Sequence, residues 1–303
     1  MKGSAGRPPR LTACGVQFDC RLHEPGYNAE FIAAETVRAA AEEGARLVIF
    51  PEAALTGYVF ESEAEALEGA VEADGPEILR LVEACRDAAA WAVAGAVERD
   101  DGRVYNTAFL VGPEGVVGRY RKVHTLCLGV DRFAGRGAGF DVWDLPIGRI
   151  GLNICYDGTF PESSRTLKLL GAQLIVLPTN WPRLDMKRAQ TTMRAYENHL
   201  NYFAVNRVGV ERGTRFPGGS MAVDPLGRIL AEGDDGPCRI VADFDMAAAD
   251  ANHVVVAADA YEFDYEADRR PAAYGPITSQ TPAGTATGSA GASSAGAAEP
   301  ATT

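Results

Sequence analysis

Leu47-Val48-Ile49-Phe50-Pro51-Glu52 is a short apolar, β-prone run that stops at a proline and then presents a carboxylate. Two other stretches follow the same plan. Val116 to Tyr120 leads into Arg121-Lys122-Val123-His124, and Ile150-Gly151-Leu152-Asn153-Ile154 leads into Cys155-Tyr156-Asp157. Runs of this length bounded by turn signals read as buried strands. Strand ends of an α/β sheet are where such folds gather ligand sites. Glu52, Lys122 and Cys155 put a carboxylate, an ammonium and a thiol at three of them. A thiol nucleophile needs a base for its proton and a cation for the oxyanion it creates. These three residues supply one of each.

Outward from these ends, strands alternate with helices. Leu11 to Phe18 reads as a first strand, and Asn28 as the N-cap of a helix to Ala41 with Phe31, Ile32 and Val37 on its apolar face. Gly44 stops that helix before the strand Arg46 to Phe50. Glu77 to Ala90 reads as a helix, with Leu79, Leu81 and Val82 on its apolar side, then Trp91 to Val97 as a strand. Val104 to Val111 and Val116 to Tyr120 flank Gly112-Pro113-Glu114-Gly115, a hairpin signal, so the sheet is mixed. The second half repeats the theme: strand Arg149 to Ile154, helix Glu162 to Leu170, strand Gln173 to Leu177, helix Lys187 to His199, strand Tyr202 to Asn206. A hairpin of Ser220 to Val223 and Arg228 to Ala231 follows around Asp224-Pro225-Leu226-Gly227. No Pro/Gly/Ser-rich break separates the halves, so one α/β domain over residues 11–275 is expected, after a flexible segment over 1–10. From about Gly275 the chain turns to Thr, Ser, Ala, Gly and Pro, and residues 276–303 read as a disordered tail.

Composition bounds the function. The chain has 303 residues, 47% of them hydrophobic, enough for a sizeable core. A net charge of −12 argues against a nucleic-acid or anionic-membrane surface. The six cysteines show no Cys-x-x-Cys pair, which favours a reducing compartment over a disulfide framework. No apolar run approaches the ~20 residues that cross a bilayer. The expectation is a soluble cytoplasmic protein. No His-x-x-x-His or paired Cys spacing suggests zinc, so neither metal nor cofactor is expected.

The order Glu, Lys, Cys in these contexts resembles the nitrilase superfamily of carbon–nitrogen hydrolases. The resemblance runs from about Leu11 to about Phe244. It includes Pro51-Glu52-Ala53-Ala54-Leu55-Thr56-Gly57-Tyr58, Arg121-Lys122-Val123-His124, Cys155-Tyr156-Asp157-Gly158-Thr159-Phe160-Pro161-Glu162, Arg194-Ala195-Tyr196-Glu197-Asn198 and Asp224-Pro225-Leu226-Gly227. It implies a four-layer α-β-β-α sandwich with mixed sheets, a cysteine hydrolase that needs no cofactor, and a homodimer or higher homo-oligomer. The segment Phe244 to Tyr274 is then expected to order over a partner subunit.

The resemblance also implies roles. Cys155 is the nucleophile, with the thiolate favoured by the nearby ammonium over a reference pKa of ~8.5. Glu52 is the general base, and Lys122 stabilises the oxyanion with the Tyr156 backbone N–H as second donor. Strand alternation turns Lys122 to the side of Tyr120 and away from Arg121. Asp131, in Val130-Asp131-Arg132-Phe133, stands where many members carry a second Glu, and is one methylene shorter. It would orient Lys122 or hold the substrate amide. Tyr58, Tyr156, Asn180 and Trp181 match regions that border the family's pocket.

Each residue has a plainer reading. Cys155 could be a small core residue, Glu52 a helix cap, Lys122 part of a solvated basic run, and Asp131 a surface partner of Arg132. The aromatics could be core packing, and His124 reads as a structural histidine. Arg194, Glu197 and Asn198 read as a structural polar network. Among substrates, Cys155-Tyr156-Asp157 favours an amidase on small linear amides. The rivals are an N-carbamoyl (ureido) amidohydrolase, then a nitrilase, or a catalytically silent binding paralogue.

Overall fold

Two six-stranded mixed sheets, packed face to face, carry the molecule. The computed structural model describes residues 10–279. In chain order the first half comprises β1 (Arg10–Gln17), α1 (Pro25–Glu43), β2 (Leu47–Ile49), α2 (Glu63–Gly69), α3 (Pro76–Ala88), β3 (Trp91–Asp100), β4 (Arg103–Gly112) and β5 (Gly115–Arg121). The second comprises β6 (Val142–Leu145), β7 (Gly148–Leu152), α4 (Pro161–Leu169), β8 (Leu174–Thr179), α5 (Lys187–Asn198) and β9 (Asn201–Asn206). Then come β10 (Val208–Glu211), β11 (Thr214–Pro217), β12 (Met221–Val223), β13 (Ile229–Glu232), β14 (Cys238–Asp245), β15 (His253–Ala257) and β16 (Tyr261–Asp264).

The first sheet has the order β14-β1-β2-β3-β4-β5 and the second β13-β12-β9-β8-β7-β6. In each, three adjacent parallel strands (β1-β2-β3 and β7-β8-β9) are flanked by antiparallel ones. With α1 and α3 outside the first sheet and α4 and α5 outside the second, this is the α-β-β-α sandwich. Strands buried on both faces explain the continuous apolar runs in β2 and β8. Leu47, Ile49, Val93 and Leu110 meet Leu152, Ile175, Phe203 and Val205 in the core between the sheets. Ile32 and Ala39 of α1, with Ile78, Leu81 and Cys85 of α3, cover the other face of the first sheet.

Several expectations change. Pro25 fixes the start of α1, with Glu24 at the cap, so Asn28 is not the N-cap. Its buried amide accepts from Arg21 N at 2.9 Å and donates to Arg21 O at 2.7 Å and Leu55 O at 3.0 Å. It thereby ties the loop after β1 to the segment that follows Glu52. Val37 and Leu79 are exposed, because the buried stripes run through Ile32, Thr36 and Ala39 and through Ile78, Leu81 and Cys85. Not foreseen were α2, β6, the β10–β11 and β15–β16 hairpins, and β14, which pairs with β1 across more than two hundred residues of chain.

The compact unit runs to Glu266, and a separate unit begins at Ala267. That second unit holds a 3-10 turn over Pro271–Ala273 and a short helix over Gly275–Thr278. Of the tail expected over 276–303, residues 280–303 lie outside the described residues, as do residues 1–9 of the expected flexible N-terminal segment. Among the described residues no helix is long and apolar enough to cross a membrane.

The two sheets approach closely where β1 crosses β9. A Cβ on Gly15 would meet Phe203 Cζ and Val205 Cγ2 at 2.8 Å each. Both are core side chains from the facing sheet, with no room to retreat. Gly15→Val is therefore expected to lower stability by about 1–3 kcal/mol or more through overpacking. The denaturant midpoint checks this; an unchanged midpoint would mean that the sheets separate freely.

Candidate active site

The carboxylate at the end of β2 is held by the strand next to it. Gly95 of β3 donates to Pro51 O at 3.2 Å and accepts from Leu55 N at 3.0 Å. A Cβ there would lie 2.4 Å from Ala53 N and 2.7 Å from Glu52 Cα, so only glycine permits this approach. The turn presses Glu52 inward, where it is fully buried. Its Oε1 accepts from Lys122 Nζ and from Asn106 Nδ2, each at 2.7 Å. Its Oε2 has no partner among the described residues.

Lys122 follows the last residue of β5, its N–H bound to Asn106 O at 2.9 Å. Alternation sorts the basic run as expected. Tyr120 and Lys122 are buried, while Arg121 turns away to Glu98 and Asp100 and lies over the Tyr105 ring at 3.7 Å. Asp131 sits on a 3-10 turn over Gly129–Arg132 and is nearly buried. It does not pair with Arg132, which bonds the Gly129 and Phe60 carbonyls instead. Its Oδ2 accepts from Lys122 Nζ at 2.7 Å and its Oδ1 from Asn106 Nδ2 at 2.8 Å. One ammonium and one carboxamide thus bridge two buried carboxylates. Tyr58 completes this group, with its ring centroid 6.0 Å from Lys122 Nζ.

The thiol arrives from the other sheet. After β7 the chain enters a 3-10 turn over Cys155–Thr159, with Cys155 buried at a φ of 44°. A non-glycine residue in the left-handed region costs about 1–3 kcal/mol, so its surroundings must impose that conformation. Asp157 does much of this. Its Oδ2 accepts from Ile154 N at 3.0 Å and Tyr120 OH at 2.7 Å, its Oδ1 from His124 N at 2.9 Å, and His124 Nδ1 lies 2.7 Å away. One buried carboxylate therefore fastens the cysteine turn to the loop that carries Lys122. His124 also stacks on Phe160 at 3.9 Å, which fits a structural histidine. Arg194 of α5 clamps the same turn, bonding Gly158 O and Thr159 O while pairing with Glu197 at 2.9 Å. Asn198 donates to Arg194 O at 2.9 Å.

The electrostatics overturn one expectation. Burial first, then the Glu52 charge, pushes the Cys155 thiol up to about 12. Lys122 opposes this and favours the thiolate, but burial and the Glu52 charge outweigh it. Glu52 and Asp131 against one ammonium leave the cluster with a net negative charge, to which a thiolate would add another. Burial also raises Glu52, with Lys122 pulling it down and Asp131 pushing it up. At Lys122 burial disfavours the charge, but Glu52, Cys155 and Asp131 together outweigh it and hold the ammonium above the ordinary lysine range. Tyr58 is held well above the ordinary phenol range by burial, then by Glu52, Asp131 and Cys155.

The structure gathers most of the sequence candidates. Glu52, Lys122, Asp131 and Tyr58 form one buried cluster from the first sheet, and Cys155 faces it from the second. Asn180 and Trp181 follow β8, both almost fully buried, with Trp181 N bound to Asn206 Oδ1 at 2.8 Å. Tyr156 stands apart, half-buried and edge-on to Phe160 at 5.1 Å. Asn106 went unrecognised, although a carboxamide inside the apolar run Val104 to Val111 signals a buried polar partner. Asp157 was noted as part of a motif and given no role. Among the described residues no group of three or more His, Cys, Asp or Glu is placed to hold a metal ion.

The profile of the carbon–nitrogen hydrolase family matches residues 30–252. The chain belongs to that family. This carbon–nitrogen hydrolase falls in the nitrilase superfamily, in an amidase-like branch. It is 38% identical over 217 residues to a nitrilase of Pyrococcus abyssi, covering 71% of this chain and 82% of the relative. It is 37% identical over 228 residues to an (R)-stereoselective amidase of Pseudomonas sp., covering 74% and 79% respectively. A mutant of the amidase from Nesterenkonia sp. AN1, solved in complex with acrylamide, superposes with a TM-score of 0.74 at 26% identity. The match covers 90% of this chain and 98% of that one.

The Asp157 tie gives a test of how the hydrolase holds its cysteine turn. Asp157→Ala leaves the Ile154 and His124 N–H groups and the Tyr120 hydroxyl without their acceptor. Hydrogen bonds to a charged group contribute about 1.5–3 kcal/mol each, so a loss of at least about 3 kcal/mol is expected. Tyr120→Phe removes one donor and should cost about 1 kcal/mol. Equal losses for the two variants, read by denaturation, would dissolve the claim that Asp157 joins several elements.

Proposed function

We propose that this carbon–nitrogen hydrolase is an amidase on small linear amides, working through a Cys155 thioester. The observation that carries the reading is the convergence of Cys155, in a strained strand-end turn, on an ammonium and a carboxylate buried opposite it. Because the thiol rests protonated, attack and proton transfer are coupled. Glu52 takes the Sγ proton as sulfur bonds to the amide carbon. The carbonyl oxygen becomes an oxyanion, stabilised by Lys122 Nζ and by the Tyr156 backbone N–H. Glu52 then returns the proton to the leaving nitrogen, and ammonia departs. Water, activated by the same carboxylate, attacks the thioester and releases the acid and the thiol.

In this reading Asp131 and Asn106 are positioning residues. They hold Lys122 and Glu52 in a geometry that the oxyanion can use without reorganisation. Tyr58, Asn180 and Trp181 border the substrate. The (R)-stereoselective amidase and the acrylamide-bound amidase support amides over nitriles, whereas the Pyrococcus relative supports a nitrile. Ammonia release from matched amides, ureides and nitriles separates an amidase from a carbamoylase, a nitrilase and a silent binding protein. Release from nitriles alone would overturn the amidase reading.

Two expectations follow for the chemistry. Cys155→Ala should abolish turnover with the fold intact. Lys122→Met should lower kcat by about 10²–10³ while changing KM little, as for loss of an oxyanion donor. An effect confined to KM would make Lys122 a substrate-binding group.

The pH profile is the second check. Glu52 works as a base only when ionised, and its pKa is raised. The acid limb of kcat/KM should therefore lie above the ordinary carboxylate range, activity falling as pH drops through it. The thiol does not ionise until about 12, so no limb is expected at the free-thiol position of about 8.5. A rise in kcat/KM through that pH would show that a preformed thiolate is the nucleophile.

A further inference from the structure

One cation near the cysteine turn has no use in the mechanism above. Lys187 opens α5, and Lys187, Gln190 and Arg194 fall on one helix face at spacings of three and four. That face lies against the cysteine turn: a Cβ on Gly158 would meet Gln190 Nε2 at 3.4 Å, and Arg194 bonds the Gly158 and Thr159 carbonyls. Lys187 Nζ stands 5.3 Å from the centroid of the Trp181 ring, next in chain to Asn180, and is near enough to Cys155 for a charge there to act on it. The ammonium is half-buried, and its one hydrogen bond is to Gln190 Oε1 at 3.3 Å.

The other described lysines are answered differently. Lys122 has two carboxylates, and Lys168 has two backbone carbonyls with Glu266 at 3.7 Å. The carboxylates close to Lys187 in sequence or on α5 are already engaged, Asp185 with Arg183 and Glu197 with Arg194, and Glu232 of β13 pairs with Arg188. In a protein of net charge −12, a half-buried ammonium without a carboxylate is an exception that asks for a ligand. Two neighbouring donors repeat the pattern. Asn180 Nδ2 and Trp181 Nε1 are buried without a hydrogen-bond partner among the described residues. Burial holds the Lys187 ammonium below the ordinary lysine range; a charge on Cys155 raises it again and Arg194 lowers it.

We propose that Lys187 is a specificity residue that binds a carboxylate on the substrate, so that the preferred amides are monoamides of dicarboxylic acids. The proposal rests on the amidase reading for the reacting end of the substrate only. The amide would reach Cys155 while the far carboxylate takes the place that no protein acid fills at Lys187. A cationic amide would be repelled, and a neutral one would leave the ammonium unanswered.

Succinamate and butyramide differ by a carboxylate in place of a methyl group, and both can be titrated into the Cys155→Ala protein by calorimetry. Succinamate is expected to bind roughly tenfold or more tightly than butyramide, the factor typical of a hydrogen bond to a charged group. Adding Lys187→Met should erase the preference with butyramide affinity held within about twofold, while Lys187→Arg should keep most of it. Equal affinity for the two amides, or a preference that survives Lys187→Met, would overturn the assignment. It would leave Lys187 as a solvated side chain lying on Trp181. Ammonia release by the unaltered enzyme from the same two amides judges the amidase reading separately. A preference lost with Lys187 but no ammonia from either amide would remove that reading and leave the carboxylate site standing.

Discussion

A single buried ammonium sets the terms for the rest of the site. Lys122 is fully buried, and isolated burial of such a charge would cost several kcal/mol after relaxation. It is tolerated because Glu52 and Asp131 each accept from Nζ at 2.7 Å, with Asn106 donating to both carboxylates. Those four residues come from the end of β2, the end of β5, a 3-10 turn and the middle of β4. The ion cluster therefore acts as a register lock among elements that the hydrophobic core alone would let slide. Removing Lys122 would leave two buried carboxylates without a cation.

The same cluster decides the state of the thiol. A cation beside a cysteine is the usual means of lowering its pKa. Here burial first, then the Glu52 charge, outweighs that cation, and the thiol rises to about 12. The site thus stores its proton on sulfur and keeps a raised carboxylate beside it as acceptor.

Two sheets contribute separate halves of the chemistry, and their join is polar as well as apolar. Gly15 lets Phe203 and Val205 close the apolar interface, while Asp157 connects Tyr120 and His124 of one half to the cysteine turn of the other. Positional precision matters here because a misplacement of 1 Å can cost about 10²-fold in rate. Helix α5 stiffens the same turn from outside through Arg194. By the same packing it brings Lys187 to the Trp181 ring.

The sequence by itself determined which strands end in reactive groups. Apolar runs closed by Pro51, by the Arg121-Lys122 step and by Cys155 were legible because buried strands and their terminators have local signatures. Alternation alone put Lys122 and Tyr120 on one side and Arg121 on the other. The mixed α/β order was legible for the same reason, whereas the pairing of the sheets into a sandwich came from the family resemblance. Local signals failed where a polar side chain serves a distant partner. Asn28 reads as a helix cap, yet it is spent on Arg21 and Leu55. For Asp131 the surface pair with Arg132 is only the plainer of two readings, and the structure turns it to Lys122, the partner the resemblance implies. Strand β14 was missed because its partner β1 lies at the other end of the chain. Only the tertiary structure could decide the protonation of Cys155, since that depends on burial and on the charges of Glu52 and Lys122, brought in from separate segments. Electrostatic energy is a property of the assembled arrangement, and no local stretch of residues encodes it.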